Sequence, residues 1–195
     1  MRILMLGNSF TYFHDMPSTL AQLTGAEVVA HTRGGAYLAE QLNPETEIGA
    51  RTMKALKEET WDYVVLQEQS NAAVTSKDAF MKSVSRLCEL SRQAGATPVL
   101  YATWAYQKGS SRIQELGIPY DVMASQMSAS YHEAGELNNA LVADVGQKFY
   151  TLSVTENLYE EDGSHPNEVG SRIAAETIAE VIQKDQKRSD ERRHR

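Results

Sequence analysis

Two short stretches of the 195-residue chain carry side chains that could act together as a nucleophile and its base. The first is Gly7-Asn8-Ser9, which directly follows the apolar run Ile3–Leu6. The second is Asp162-Gly163-Ser164-His165-Pro166, close to the other end. A carboxylate three residues before an imidazole can bond one ring nitrogen and hold the ring in one tautomer. The other nitrogen could then take a proton from the Ser9 hydroxyl, which points to nucleophilic catalysis.

Each stretch also has a purely structural interpretation. Asn8 and Ser9 are residue types that commonly form turns and cap helices. Asp162-Gly163 is a turn sequence, and His165-Pro166 could simply lead into a helix, since proline is favoured at the first helical position. Either stretch alone therefore leaves both interpretations open.

The elements around Ser9 favour a functional position. Ile3–Leu6 is a short apolar run of the kind that forms a buried strand in a parallel sheet. Tyr12–Leu23 is predicted to be helical, with Pro17 in its first turn and Gly25 just beyond its end. Ser9 would then lie where a strand turns into a helix, and ligands of open α/β sheets bind at the carboxyl ends of strands.

Strand and helix patterns alternate along the rest of the chain. Further strands are predicted at Glu27–His31, Asp62–Leu66, Pro98–Thr103 and Ala140–Val145. The helices between them are predicted to begin at Pro44, after a capping box at Thr75–Asp78, at Tyr120 and at Asn167. A short helix is predicted over Gly146–Ser153, and a polar loop over Trp104–Gly117. Five short strands separated by helices predict βαβ units, and therefore a parallel sheet with helices on both faces.

Composition restricts the class of protein. The net charge is −7, and basic residues concentrate in 184–195, so residues 1–183 form an acidic body unsuited to nucleic acid. We expect one domain over 1–183 and a charged, disordered tail over 184–195. No apolar run is long enough to span a membrane or form a signal peptide, so neither a membrane partner nor export is expected and a cytoplasmic location is the default.

Cofactor and metal motifs are also missing from the sequence. Cys88 is the one cysteine, which rules out an internal disulfide and a cysteine metal cluster. No histidine spacing matches a zinc motif, and no glycine-rich nucleotide loop is present. We therefore expect neither a cofactor nor a metal. His14, at the start of a helix close to Ser9, is interpreted as a surface residue.

Taken together, the two stretches resemble the conserved blocks of the SGNH (GDSL-like) hydrolase superfamily, and the likeness covers about residues 1–183. The resemblance implies a three-layer α/β/α, flavodoxin-like fold with a five-stranded parallel sheet. It implies that Ser9 is the nucleophile, His165 the base and Asp162 its orienting acid. It further implies an oxyanion hole formed by the N–H groups of Ser9 and Gly35 and by a side-chain amide after the third strand.

The third block departs from the family pattern. Where the family has Gly-x-Asn-Asp, this chain reads Gln67-Glu68-Gln69-Ser70. Gln69 stands in the place of the asparagine and can also donate from its amide, although its side chain is one methylene longer. Asn71 is the alternative donor. The resemblance therefore implies a divergent branch of the superfamily.

The expected function is a serine esterase that cleaves a short-chain, acetyl-type ester of a polar alcohol such as a carbohydrate, through an acyl-enzyme. The substrate class follows from aromatic residues predicted near the site, since such rings suit sugars: Phe10, Tyr12, Phe13, Tyr37, Trp104 and Tyr106. Two alternatives stay open. One is a non-catalytic small-molecule or carbohydrate-binding protein with the same fold. The other is a metal-dependent phosphoesterase with Asp162, His165 and Asn8 as ligands.

Overall fold

The computed structural model describes residues 1–193, so His194 and Arg195 of the predicted tail lie outside it. Its centre is a five-stranded sheet, and all neighbouring strands are parallel. The strands are β1 (Arg2–Gly7), β2 (Glu27–Thr32), β3 (Tyr63–Leu66), β4 (Thr97–Tyr101) and β5 (Leu141–Ala143), in the order β2-β1-β3-β4-β5. This confirms the predicted α/β class, and the strand order is the flavodoxin-like one.

Ten α-helices connect and cover the strands of the described chain. They are α1 (Ser9–Tyr12), α2 (Met16–Thr24), α3 (Leu38–Gln41), α4 (Glu47–Glu58), α5 (Ala72–Thr75), α6 (Lys77–Gln93), α7 (Ser111–Leu116), α8 (Tyr120–Leu137), α9 (Val145–Leu152) and α10 (Glu168–Arg193). Within residues 1–193, no helix has both the length and the apolar character needed to cross a bilayer.

Alternating side chains on the strands build two cores, one on each face of the sheet. On β1, Leu4 and Leu6 enter the core that also contains Phe80 and Tyr131 from α6 and α8. Ile3 and Met5 enter the opposite core with residues of α2, α9 and α10. Because both faces of β1 are fully buried, its continuous apolar run follows from the three-layer architecture.

The segment after β1 differs from the single predicted helix. It forms the short helix α1, a 3-10 turn at Phe13–Asp15 and then α2. The break occurs at His14 and Asp15, which both have φ of 50°, a left-handed conformation. Pro17 lies in the first turn of α2, and Gly25 ends it with φ of 67°, as the sequence predicts.

Three other predicted features differ from the structure in their local detail. Helix α4 begins three residues after Pro44, because the Thr46 side chain accepts the hydrogen bond of Gly49 N–H and forms the cap. At the predicted capping box, Ser76 caps α6 without a side-chain hydrogen bond. The predicted polar loop Trp104–Gly117 contains helix α7, which Ser110 caps through Ile113 N–H.

The predicted disordered tail is helical as far as the structure describes it. Helix α10 continues past residue 183 to Arg193. Its extension is held by contacts with the body: Asp185 accepts a hydrogen bond of 2.9 Å from the Tyr63 hydroxyl. Gln186 Nε2 donates to the Met1 sulfur at 2.9 Å. The charge composition of the tail does not predict such long-range contacts.

Candidate active site

Ser9, His165 and Asp162 meet at the carboxyl edge of the sheet in one hydrogen-bonded chain. Ser9 is the first residue of α1, directly after β1, and its Oγ lies 2.8 Å from His165 Nε2. The other ring nitrogen, Nδ1, lies 2.5 Å from Asp162 Oδ2. A carboxylate at Nδ1 favours the tautomer with the proton on that nitrogen, which leaves Nε2 free to accept the Ser9 proton.

Asp162 is fixed by backbone groups as well as by the imidazole. Its Oδ1 accepts hydrogen bonds of 2.9 Å from the N–H groups of Ser164 and His165. Gly163 makes this tight turn possible, since its φ is 66° and an added Cβ would lie 2.5 Å from Cβ of Ser110. Partial burial acts to raise the pKa of Asp162, but the bonds from His165 and the two N–H groups outweigh it and lower the pKa. The carboxylate is therefore held in its charged form.

Asn8 joins three segments at this edge. Its Oδ1 accepts from Phe10 N–H at 3.0 Å and so caps α1, and its Nδ2 donates to the Ala36 carbonyl at 3.2 Å. Its backbone N–H donates to Gln67 Oε1 at 2.9 Å. Both ends of the Asn8 side chain are therefore used within the protein, and the residue positions the loops after β1, β2 and β3.

Two backbone donors remain available beside these loops. Gly35 has φ of 69° within the turn closed by Ala36 N–H and the Arg33 carbonyl, and this conformation favours glycine. Within residues 1–193, neither the N–H of Ser9 nor that of Gly35 has a hydrogen-bond acceptor. Such unpaired donors at a site edge are what a developing negative charge requires.

The two candidate side-chain amides make the same number of hydrogen bonds within the protein. Gln69 Oε1 accepts from Asn71 N–H at 3.1 Å, which fixes the orientation of its amide, and its Nε2 donates to Ser70 Oγ at 3.0 Å. In the Asn71 amide, Nδ2 donates to the Tyr106 hydroxyl at 3.2 Å and Oδ1 accepts from the Thr75 hydroxyl at 3.1 Å. In the described part of the chain, neither the second N–H of Gln69 Nε2 nor the second N–H of Asn71 Nδ2 has an acceptor. Each amide therefore keeps one N–H for a ligand, and Gln69 as the donor stays a prediction.

Gln67 and Glu68, which the sequence presented as a departure from the family pattern, hold the loops of the site together. Gln67 Oε1 accepts from Asn8 N–H and from Thr11 Oγ1, each at 2.9 Å. Glu68 is 2% exposed, and its Oε1 accepts from the N–H groups of Leu38 and Gln69 at 2.9 and 2.7 Å. Desolvation raises the pKa of Glu68, partly offset by these two N–H bonds. Sequence reasoning missed these roles because their partners are distant along the chain.

The aromatic residues predicted near the site divide between rim and core. Tyr12 and Tyr37 are 41% and 44% exposed, and Phe13 is partly exposed. The other three are buried: Trp104 stacks between Phe10 and Phe149 with centroid distances of 4.7 and 3.9 Å, and the Tyr106 hydroxyl bonds Ser70. Only part of the predicted aromatic set is therefore available to a ligand.

The described residues at the carboxyl edge of the sheet do not form the ligand set that the metal-dependent alternative requires. Across residues 1–193, no three His, Cys, Asp or Glu side chains are arranged to hold a metal ion. Asn8, the third residue of that alternative, uses its side chain on Phe10 and Ala36.

Comparisons with known proteins identify the family of the chain. No protein-family model and no curated protein matches the chain. A solved structure from Slackia heliotrinireducens, assigned to the SGNH hydrolases, is 48% identical, with a TM-score of 0.91, and covers 93% of this chain and 98% of its own. This chain belongs to the SGNH hydrolases.

More distant solved structures also superpose on the chain. A DUF4886 family protein from Bacteroides uniformis has a TM-score of 0.71 at 19% identity, over 93% of this chain and 82% of its own. Axe2, an acetylxylan esterase from Geobacillus stearothermophilus, has a TM-score of 0.70 at 14% identity, over 93% of both chains. At these identities the likeness shows the fold, which the SGNH hydrolase described here shares.

Proposed function

We propose that this SGNH hydrolase is a serine esterase that works through an acyl-enzyme. The observation that carries the proposal is the hydrogen bond of 2.8 Å between Ser9 Oγ and His165 Nε2, with Asp162 bound to the opposite ring nitrogen. A serine, a base and an orienting acid in this order can activate a hydroxyl as a nucleophile at neutral pH.

The proposed reaction has two halves with the same groups. His165 takes the Ser9 proton as Oγ attacks the ester carbonyl, and it then gives that proton to the departing alcohol. Water attacks the acyl-enzyme with His165 again as base, which releases the acid and regenerates Ser9. Asp162 stabilises the imidazolium in both halves, because its carboxylate is held charged by two backbone N–H groups.

The oxyanion of each tetrahedral intermediate would be bound by the N–H groups of Ser9 and Gly35 and by the Gln69 amide. Hydrogen bonds hold the backbone next to two of these donors. Asn8 bonds the Ala36 carbonyl beside Gly35, and Glu68 bonds Gln69 N–H. Preorganised donors of this kind need no rearrangement during the reaction.

For the substrate we propose a short acyl group, such as acetyl, on a polar alcohol such as a carbohydrate. Tyr12 and Tyr37 support this, since they expose amphipathic rings close in the chain to Ser9, in α1, and to Gly35, in the turn before α3. Aromatic faces with a polar edge suit sugar rings. The fold shared with an acetylxylan esterase points the same way by analogy.

The nucleophile is tested by replacing it. Ser9→Ala and His165→Ala should each lower kcat on p-nitrophenyl acetate by several orders of magnitude, and the double variant should be little worse, because the residues act as a unit. A fluorophosphonate should label wild-type protein once, at Ser9, as read by peptide mass spectrometry. Ser125→Ala, an exposed serine of α8, is the matched control.

Two results would contradict the proposal. Full esterase activity in Ser9→Ala would remove Ser9 from the mechanism. Absence of both labelling and turnover in the wild type, with saccharide binding retained in calorimetry, would favour the non-catalytic binding protein.

A further inference from the structure

The imidazole of His165 is packed between two aromatic rings that come from the nucleophile segment. The Phe13 ring stacks on its face, with centroids 4.4 Å apart and planes at 17°. The Phe10 ring meets it edge-on at 5.5 Å and 75°. Phe13 is also tied to the nucleophile through its backbone, because its N–H donates to the Ser9 carbonyl. One short segment therefore carries both Ser9 and the ring that covers its base.

The backbone that follows Phe13 is strained. His14 and Asp15 are consecutive residues with φ of 50°, a conformation that side-chain-bearing residues adopt at a cost of about 1 kcal/mol or more each. Such a conformation persists only where surrounding contacts determine it. Here the Ser18 hydroxyl bonds Asp15 Oδ1 at 2.8 Å on one side, and His14 makes its own contact on the other.

That contact joins the strained turn to the loop that carries the base. His14 Nε2 lies 2.7 Å from Glu160 Oε1. Glu160 belongs to the His165 loop, since its N–H donates to the His165 carbonyl at 2.9 Å and its carbonyl accepts from Gly163 N–H at 3.0 Å. The His14–Glu160 pair therefore spans the nucleophile segment and the base loop at one end, while Phe13 and His165 stack at the other.

We propose that Phe13 is a positioning residue for His165, and that the His14–Glu160 contact holds Phe13 in place. This inference rests on the proposed function for its kinetic consequence. Asp162 anchors only Nδ1, which leaves the ring free to tilt about that bond. The stacked Phe13 face restricts the tilt and keeps Nε2 directed at Ser9 Oγ. Small errors in such alignment are costly to the chemical step.

The test compares three variants with wild type. Phe13→Leu keeps apolar bulk but removes the ring, and it should lower kcat on p-nitrophenyl acetate and the fluorophosphonate labelling rate by about tenfold or more, with KM little changed. Phe13→Tyr keeps the ring and should retain most of the rate. Glu160→Ala should lower the rate in the same direction through a loosened turn. Thermal unfolding midpoints establish that each variant is folded.

A spectroscopic readout separates positioning from mere packing. Long-range 1H–15N spectra of wild type and Phe13→Tyr should show His165 as one tautomer, with ring protons shifted by the stacked ring. In Phe13→Leu the tautomer should stay the same, because Asp162 still holds Nδ1, but the ring resonances should broaden as the ring tilts about that bond. A folded Phe13→Leu whose ring resonances stay as sharp as in wild type and whose labelling rate is unchanged would overturn the inference. If wild type itself is never labelled, the proposed function fails, and the line widths of the His165 ring resonances alone decide whether Phe13 positions the ring.

Discussion

The amide of Gln69 gives the sharpest test of the proposed oxyanion site. Gln69→Ala removes an amide whose Oε1 is bound to Asn71 N–H, so that its Nε2 must face the other way. Of its two N–H bonds, one goes to Ser70 Oγ and the other is available for the developing charge. Removing one oxyanion donor typically costs about 2.7–4 kcal/mol of barrier, so kcat should fall by about 10²–10³ with little change in KM.

Asn71→Ala is the matched control because it breaks a similar number of bonds. It loses the hydrogen bonds to Tyr106 and Thr75, each worth about 1 kcal/mol of folding stability. Both variants should therefore lower the free energy of unfolding by similar amounts, but only Gln69→Ala should lose a large part of kcat. The assay is steady-state hydrolysis of p-nitrophenyl acetate, paired with urea unfolding of each variant. A larger kcat loss in Asn71→Ala than in Gln69→Ala would refute the assignment.

Three further predictions follow from other parts of the molecule. Across p-nitrophenyl esters from acetate to octanoate, kcat/KM should be greatest for acetate, and a steady rise with chain length would contradict the proposed substrate class. Glu68→Ala leaves the N–H groups of Leu38 and Gln69 unpaired and should cost about 2–6 kcal/mol in urea unfolding, whereas Glu68→Gln keeps an acceptor and should cost less. Burial, with a smaller contribution from Arg51, lowers the pKa of His31 to about 4. As pH falls below about 6.5 the unfolded state therefore takes up a proton that the folded state refuses, and stability should drop towards pH 4, less so in His31→Asn.

The sequence sufficed for the features that depend on short-range patterns. The continuous apolar runs of β1 and β3 predicted a parallel sheet, because both faces of each strand are covered. The alternation of strands and helices predicted the helices on both faces of that sheet. Ser9, Asp162 and His165 could be selected because strand ends share one edge of such a sheet. Their catalytic roles stay proposals, but the structure brings all three within hydrogen-bonding distance.

What the sequence left out depends on partners far along the chain. Trp104 begins a segment rich in polar residues and was expected near the rim, yet it is buried between Phe10 and Phe149. Glu68 lies in the block that departs from the family pattern. Its structural role is to accept a hydrogen bond from the N–H of Leu38, thirty residues away along the chain. The left-handed turn at His14 could not be inferred from its neighbours in sequence, because contacts such as that with Glu160 determine it.

The position of Trp104 gives the protein a built-in optical reporter. The chain has two tryptophans, and they lie at opposite ends of the strands. Trp61 comes just before β3, beneath the Arg2 guanidinium, and Trp104 comes shortly after β4. The indole N–H of Trp104 donates to the Ser164 carbonyl at 3.0 Å, in the loop between Asp162 and His165. Trp61→Phe would leave Trp104, which contacts that loop, as the single tryptophan of the chain. Its fluorescence lifetime and quenching would then follow motion of the loop during turnover, without an attached dye.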